Sequence, residues 1–244
     1  MAALRAARRL LSALAHALRG WWTILFTFPR LAQPERDARV QQWARRMLGI
    51  LGIELRLAGS PPAHGPVLLV ANHISWLDIL VMHAARHCRF VSKSDVKHWP
   101  LVGTLATGAG TLYIERESRR DAMRVVHHMA EALHAGDVLA VFPEGTTSDG
   151  RTLLPFHANL LQAAVSADAP VQPVALSFVE AASGRPSIAA RYVDDDTLVG
   201  SLWRTLTAPP LAAVVVFGEP QRAQGRGRRA WAAALREAVL QLRG

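Results

Sequence analysis

From residue 60 onward the chain alternates short apolar runs with longer stretches whose apolar residues recur at a helical period. The short runs are 66–71 (PVLLVA), 88–92 (CRFVS), 111–114 (TLYI), 137–142 (DVLAVF), 169–178 (APVQPVALSF) and 212–218 (AAVVVFG). Runs this short and this apolar fit strands covered on both faces. Residues 77–87, 119–136 and 228–243 instead repeat apolar positions at i, i+3 and i+4, which predicts helices, and Gly136 supplies a stop for the second. Strands alternating with helices predict an α/β fold: a mixed, largely parallel sheet flanked by helices. In such sheets function gathers in the loops at the carboxyl ends of the strands.

The first fifty residues follow a different pattern. On a wheel of about 100° per residue, the segment AALRAARRLLSALAHALRGWWTIL (2–25) sends Leu4, Leu11, Leu14, Leu18, Trp22 and Leu25 to one side and Arg5, Arg8, Arg9, Ser12, His16 and Arg19 to another. A second helix is expected near Asp37–Leu51, with Val40, Trp43, Ala44, Met47, Leu48 and Leu51 on one face and Pro29 and Pro34 separating it from the first. The chain thus divides into an amphipathic N-terminal helical hairpin over 1–55 and an α/β domain over 56–244.

Charge sharpens the picture of the ends. The net charge is +9, with ten Arg against three acids in residues 1–60 and six Arg against one acid in residues 221–244, so the central body is slightly acidic. A wide apolar face, a cationic flank and two tryptophans suit a helix lying in a membrane surface. A span needs about 20 apolar residues, and Arg19 interrupts the only candidate, Leu10 to Phe28. A secretory signal would need a small-residue cleavage site, which FTFPRLAQ lacks. Packing of the helix on its own domain and a single N-terminal span both stay open at this point, with the surface placement favoured. The single cysteine, Cys88, excludes an internal disulfide and fits a reducing compartment.

The predicted loops carry the chemistry. After strand 66–71 comes Asn72-His73-Ile74-Ser75-Trp76-Leu77-Asp78; after 111–114 comes Glu115-Arg116; after 137–142 comes Pro143-Glu144-Gly145-Thr146-Thr147-Ser148. A base, a fixed cation and a Gly-containing polar turn at equivalent strand ends suggest a site that takes an anionic substrate and removes a proton from it. Ser75-x-x-Asp78 also matches a capping box, which would leave Asp78 a purely structural acid. On one continuous helix His73 and Asp78 would stand about 140° apart. If the helix begins near Ser75, His73 lies in the preceding turn and can fold back onto the carboxylate, which would fix its tautomer.

The ordered set NHISWLD, GTLYIER, FPEGTTS and VQPVAL resembles the lysophosphatidic acid acyltransferase family, the bacterial 1-acyl-glycerol-3-phosphate acyltransferases and their glycerolipid relatives, over about residues 60–220. The resemblance implies the glycerolipid acyltransferase-like fold and transfer of a fatty acyl group from acyl-CoA or acyl carrier protein to the sn-2 hydroxyl of lysophosphatidate, giving phosphatidate. It implies His73 as general base and Asp78 as its orienting acid. It further implies Arg116 as phosphate ligand, Glu144, Gly145 and Thr146 at the acceptor pocket, Lys93 near a phosphate, and Pro173 and Val174 shaping that pocket. No metal and no cofactor beyond the acyl thioester are expected, nor is nucleic acid as a partner. The expected location is monotopic, on the cytoplasmic face of a bacterial inner membrane, with membrane lipid as partner.

Two positions depart from the pattern. Tyr113 stands where the family often has Phe, and His157 stands where many members carry a Lys after a Pro-Phe pair. The second leaves the acceptor headgroup open, with a lyso-ornithine lipid as an alternative. Other constellations have blander readings. His83, His87 and Cys88 have zinc-like spacing but no second ligand pair. His127, His128 and Glu131 fit a helix surface, and Asp194-Asp195-Asp196 fits a loop and helix start. The C-terminal RAQGRGRR suits anionic lipid better than nucleic acid, for no nucleic-acid motif accompanies it. A thioester hydrolase and a non-catalytic basic membrane-binding protein are the rival functions.

Overall fold

A computed structural model describes residues 2–114, 119–193 and 195–244. Its strands β1 (Ile53–Ala58), β2 (Val67–Ala71), β3 (Arg89–Lys93), β4 (Leu112–Ile114), β5 (Val138–Val141), β6 (Val171–Glu180) and β7 (Leu211–Phe217) form one sheet in the order β1-β7-β6-β2-β5-β3-β4. All neighbours pair parallel except β6 and β7, which are antiparallel, so β1 and β7 run against the other five. The sheet is therefore mixed and largely parallel, as the pattern predicts.

The six apolar runs each become a strand, and the central one explains its own composition. All five residues of β2 are buried because β5 and β6 flank it and both faces are covered. Its side chains alternate between two core layers, as the pleat requires. Leu69 and Ala71 join Leu77, Val81 and Met82 of α3 (Leu77–Ala85) and Met47, Leu48 and Leu51 of α2 (Gln33–Leu51). Leu68 and Val70 join Met129 and Leu133 of α5 (Arg119–His134) and Trp231 and Leu235 of α8 (Arg228–Leu242). Three further helices, α4 (Val102–Gly108), α6 (Leu161–Ser166) and α7 (Leu198–Thr207), fill the connections.

The hairpin has a more specific arrangement than its pattern alone defines. Helix α1 (Ala2–Phe26) packs through small and polar residues, Ala6, Ala13, His16 and Gly20. Trp43 of α2 donates its indole N–H to the His16 carbonyl (3.1 Å), while His16 Nε2 lies 3.0 Å from the Trp43 carbonyl and the two rings stack. A Cβ at Gly20 would fall 2.5 Å from Trp43 Nε1, so any larger residue there forces the helices apart. The leucine face points the other way: Leu4, Leu11, Leu14, Leu18, Trp22 and Leu25 are exposed, Leu11 at 68 %. Packing of that face on its own domain is thereby excluded. Among the described residues no helix is long and apolar enough to cross a membrane.

Two features differ from the pattern reading. Pro34 sits inside the first turn of α2 rather than before the helix; the first turn has no use for its missing N–H. The edge strand β1 is buried at Ile53, half-buried at Leu55 and Arg56 and exposed at Glu54, Leu57 and Ala58, and it lacks a continuous apolar run. The helix start expected beyond Asp194-Asp195-Asp196 is that of α7, whose Thr197 cap accepts from the Gly200 amide at 3.1 Å.

Between α2 and α3 lie two buried imidazoles. The rings of His83 and His87 stack at 5.4 Å, His87 Nδ1 is 3.6 Å from Asp37 of α2, and His83 Nδ1 has no hydrogen-bond partner among the described residues. Burial, with His87 adding repulsion, pushes the His83 imidazolium pKa down to about 3. The unfolded chain therefore binds a proton at this position below about pH 6.5 while the folded chain does not. Stability is complete above that pH and falls as pH drops toward 3, by up to about 1.4 kcal/mol per pH unit for this residue. Urea unfolding between pH 7.5 and 5 is expected to show that loss, and His83→Leu is expected to reduce the slope by about one proton.

Candidate active site

Strand β2 ends at Ala71, and the chain makes a tight turn before α3. Asn72 anchors the turn: its amide donates to the Leu176 carbonyl (3.0 Å) and its side-chain oxygen accepts from the Leu176 amide (2.7 Å). These bonds tie residue 72 to β6 in the manner of a strand pair. The following three residues present their backbone N–H groups to carboxylates.

Asp78, on the first turn of α3 and fully buried, is the first of these acids. Its Oδ2 accepts from the amides of Ile74 (2.6 Å) and Ser75 (2.9 Å) and lies 2.8 Å from Nδ1 of His73. The capping role and the imidazole contact thus coexist on one oxygen. They can do so because α3 starts at Leu77, leaving His73 free to fold back. A carboxylate at Nδ1 selects the tautomer with the proton there and the lone pair on Nε2. Nε2 makes no hydrogen bond to the described residues, and the His73 side chain is 18 % exposed. Asp78 Oδ1 is buried without a partner among the described residues.

Glu144 is the second acid. Its Oε1 accepts from the His73 amide at 2.7 Å and its Oε2 from the Leu154 amide at 2.8 Å, so it clamps the turn after β2 to the loop near residue 154. Burial pushes its carboxyl above the usual carboxylate range, while the amides of His73 and Leu154 pull it back. Both oxygens face the protein's own backbone, so Glu144 underpins the site. Ser148 completes the grip: its amide (2.8 Å) and hydroxyl (3.1 Å) both donate to the His73 carbonyl.

The remaining expected residues divide by position. Gly145 has φ +74°, and a Cβ there would approach the His157 ring to 3.1 Å, so the Gly turn and His157 are neighbours. The His157 amide donates to the Pro143 carbonyl at 2.8 Å. Thr146 is exposed, and Lys93 is exposed at the carboxyl end of β3, opposite Ile114 of β4. Arg116 follows two residues later and lies outside the described residues. Val174 is buried in β6 beside Ala71, where it supports the Asn72 anchor from below, with Pro173 beside Val70. Among the described residues no cluster of three or more potential metal ligands occurs. His127 and Glu131 form an exposed i, i+4 pair.

One neighbour escaped the motif reading. The Phe142 ring lies parallel to the His73 imidazole, with centroids 4.0 Å apart and planes 4° from parallel. Its only sequence signal is its place immediately before Pro143-Glu144-Gly145.

Both the sequence and the mixed-sheet fold have known relatives. Residues 53–177 match the model of the Acyltransferase family, and the chain belongs to that family. It is 38 % identical to the lyso-ornithine lipid O-acyltransferase of Pseudomonas aeruginosa over 97 % of this chain and 91 % of that protein. It is equally 38 % identical to the 1-acyl-sn-glycerol-3-phosphate acyltransferase of Neisseria meningitidis, over 75 % of this chain and 71 % of that protein. In fold it is similar to the crystal structure of the 1-acyl-sn-glycerophosphate (LPA) acyltransferase PlsC of Thermotoga maritima, with TM-score 0.64, 21 % identity and coverage of 97 % of this chain and 98 % of that one.

The clamp makes a direct prediction. Glu144→Gln keeps the volume but turns one acceptor into a donor facing a buried N–H. Unfolding in urea is expected to show a loss of about 1–3 kcal/mol, with the NMR amide signal of His73 or Leu154 losing its hydrogen-exchange protection.

Proposed function

We propose that this chain transfers a fatty acyl group from an acyl thioester, acyl-CoA or acyl carrier protein, to the sn-2 hydroxyl of 1-acyl-glycerol-3-phosphate, giving phosphatidate. The observation that carries the reading is the 2.8 Å contact between His73 Nδ1 and the buried Asp78, which leaves Nε2 as an oriented base in a member of an acyltransferase family. In this reading Nε2 takes the proton of the acceptor hydroxyl as its oxygen bonds to the thioester carbonyl carbon. The tetrahedral intermediate collapses, the C–S bond breaks, and the imidazolium returns its proton to the departing thiolate. General-base assistance of this kind contributes about 10²–10⁴-fold. Asp78 orients the base, Glu144 and Ser148 hold its backbone, and Arg116, Lys93, Gly145 and Thr146 receive the acceptor.

A second acceptor, a lyso-ornithine lipid, is favoured by one observation: the relative bearing that name matches 97 % of this chain, hairpin included. The same base serves both, for each acceptor offers a hydroxyl. Purified enzyme given a panel of lysolipids with both donor types, read by lipid mass spectrometry, is expected to yield a new ester and free thiol. Free fatty acid in place of an ester would establish thioester hydrolysis instead, and no turnover with any donor would leave a binding protein. His73→Ala is expected to lower turnover by at least 10²-fold with the fold intact; wild-type rates in that variant would dismiss the base role.

Membrane association follows from the family and from α1. We propose that its exposed leucine face, flanked by Arg5, Arg8 and Arg19, lies in the surface of an anionic bilayer as a monotopic anchor, on the cytoplasmic side of the bacterial inner membrane. Each leucine buried there contributes about 1.5–3 kcal/mol at most, and each Arg about 1 kcal/mol. Replacing Leu11, Leu14 and Leu18 together with Ser is expected to weaken co-sedimentation with anionic vesicles by at least ~100-fold and to leave the urea midpoint unchanged, since none of the three is buried in the fold.

A further inference from the structure

His73 is held at three points: the ring Nδ1 by Asp78, the backbone N–H by Glu144 and the backbone carbonyl by Ser148. The hydrogen bond at Nδ1 restrains χ2 within the tolerance of one contact and puts nothing on the ring's faces. Phe142 occupies one face. Its ring is 4.0 Å away and within 4° of parallel, and it is itself backed by Phe90 of β3, stacked at 5.4 Å. Phe90 in turn meets the edge of His83 at 5.2 Å. The face of the base therefore rests on a stack of rings anchored in the sheet, not on a mobile side chain.

A neutral imidazole gains only dispersion from such a neighbour. The protonated form gains more, because a cation over an aromatic face is attracted by the ring quadrupole. The base passes through that cationic form in the proposed reaction, between taking the hydroxyl proton and giving it to the thiolate. We infer that Phe142 is a positioning residue for the acyl transfer, its ring face setting the plane of the His73 imidazole and stabilising the imidazolium formed during turnover. This inference rests on His73 being the base.

The ionisable groups around the ring are Asp78 at Nδ1, Glu144 at the backbone amide with Arg243 acting on it, His157 over the Gly145 turn, and His83 two rings behind. All stay in place when Phe142 alone is exchanged, so a shift between variants reports the ring. Two variants separate its electronics from its bulk. Phe142→Leu keeps an apolar neighbour and removes the quadrupole. Pentafluorophenylalanine at 142, introduced by codon reassignment, keeps the shape and inverts the quadrupole.

The sign follows from the base role. Activity is lost as pH falls and the base is occupied by a proton, so a destabilised imidazolium moves the acid limb to lower pH. In Phe142→Leu the acid limb of kcat/KM, and the midpoint of the His73 Cε1–H NMR titration in the unliganded enzyme, are expected to lie about one pH unit below wild type, equivalent to about 1.4 kcal/mol. The value of kcat is expected to fall about tenfold with KM within about twofold, as for a group acting on the transition state. The fluorinated ring is expected to move the midpoint at least as far, and Phe142→Tyr to restore it. Midpoints unchanged or raised in both Leu and fluorinated variants overturn the inference. Should Phe142→Leu not fold, the isosteric fluorinated ring decides alone. The NMR titration needs no turnover, so it stands apart from the His73→Ala assay: activity surviving in that variant removes the base role itself, whereas a static midpoint with His73 essential removes only the role of Phe142.

Discussion

A single buried carboxylate oxygen organises the turn that follows β2. Asp78 Oδ2 gathers two backbone amides and the His73 ring nitrogen around itself. A fully buried acid is costly unless its charge meets donors, and here the donors belong to the turn that carries His73. The electrostatic need of one residue therefore shapes the loop that presents the imidazole. The same logic repeats 71 residues apart, where the Glu144 carboxylate meets the His73 and Leu154 amides. Two acids thus hold the turn after β2, the turn at residue 144 and the loop near residue 154 in one place.

The sheet supplies the frame for this convergence. β2 and β5 are adjacent and parallel, so their carboxyl ends deliver residues 72–78 and 142–148 side by side. β6, parallel to β2 on its other flank, offers the Leu176 backbone to Asn72. The reversal between β6 and β7 falls outside this trio and leaves its strand ends aligned. Function at the carboxyl edge follows from this common direction of the middle strands.

Much of this was legible in the linear pattern, and the limits have physical reasons. Six strands announced themselves as apolar runs because the sheet buries both faces, and the reach of His73 to Asp78 was foreseeable once a helix start was assumed between them. The edge strand β1 hid because an edge needs charges, Glu54 and Arg56, that erase the apolar signal. The Asn72 anchor to Leu176, 104 residues away, and the Glu144 clamp depend on strand order, which spacing along the chain does not encode. Phe142 read as the last apolar residue of a strand; only its tertiary setting turns it into a partner for an imidazole. In the hairpin, the leucines were conspicuous and the alanine-glycine seam was not, because small residues carry little pattern while deciding how closely two helices approach.

That seam has a consequence for how the protein can vary. On α1 the contacts that build the structure lie on the side of Ala13 and Gly20, where close approach to Trp43 tolerates almost no added volume. On the opposite side Leu4, Leu11, Leu14 and Leu18 are exposed, so packing within the fold sets little limit on side-chain shape there. One helix thus carries two kinds of steric constraint half a turn apart: a stripe where each added atom meets a neighbour, and a stripe where the fold leaves room.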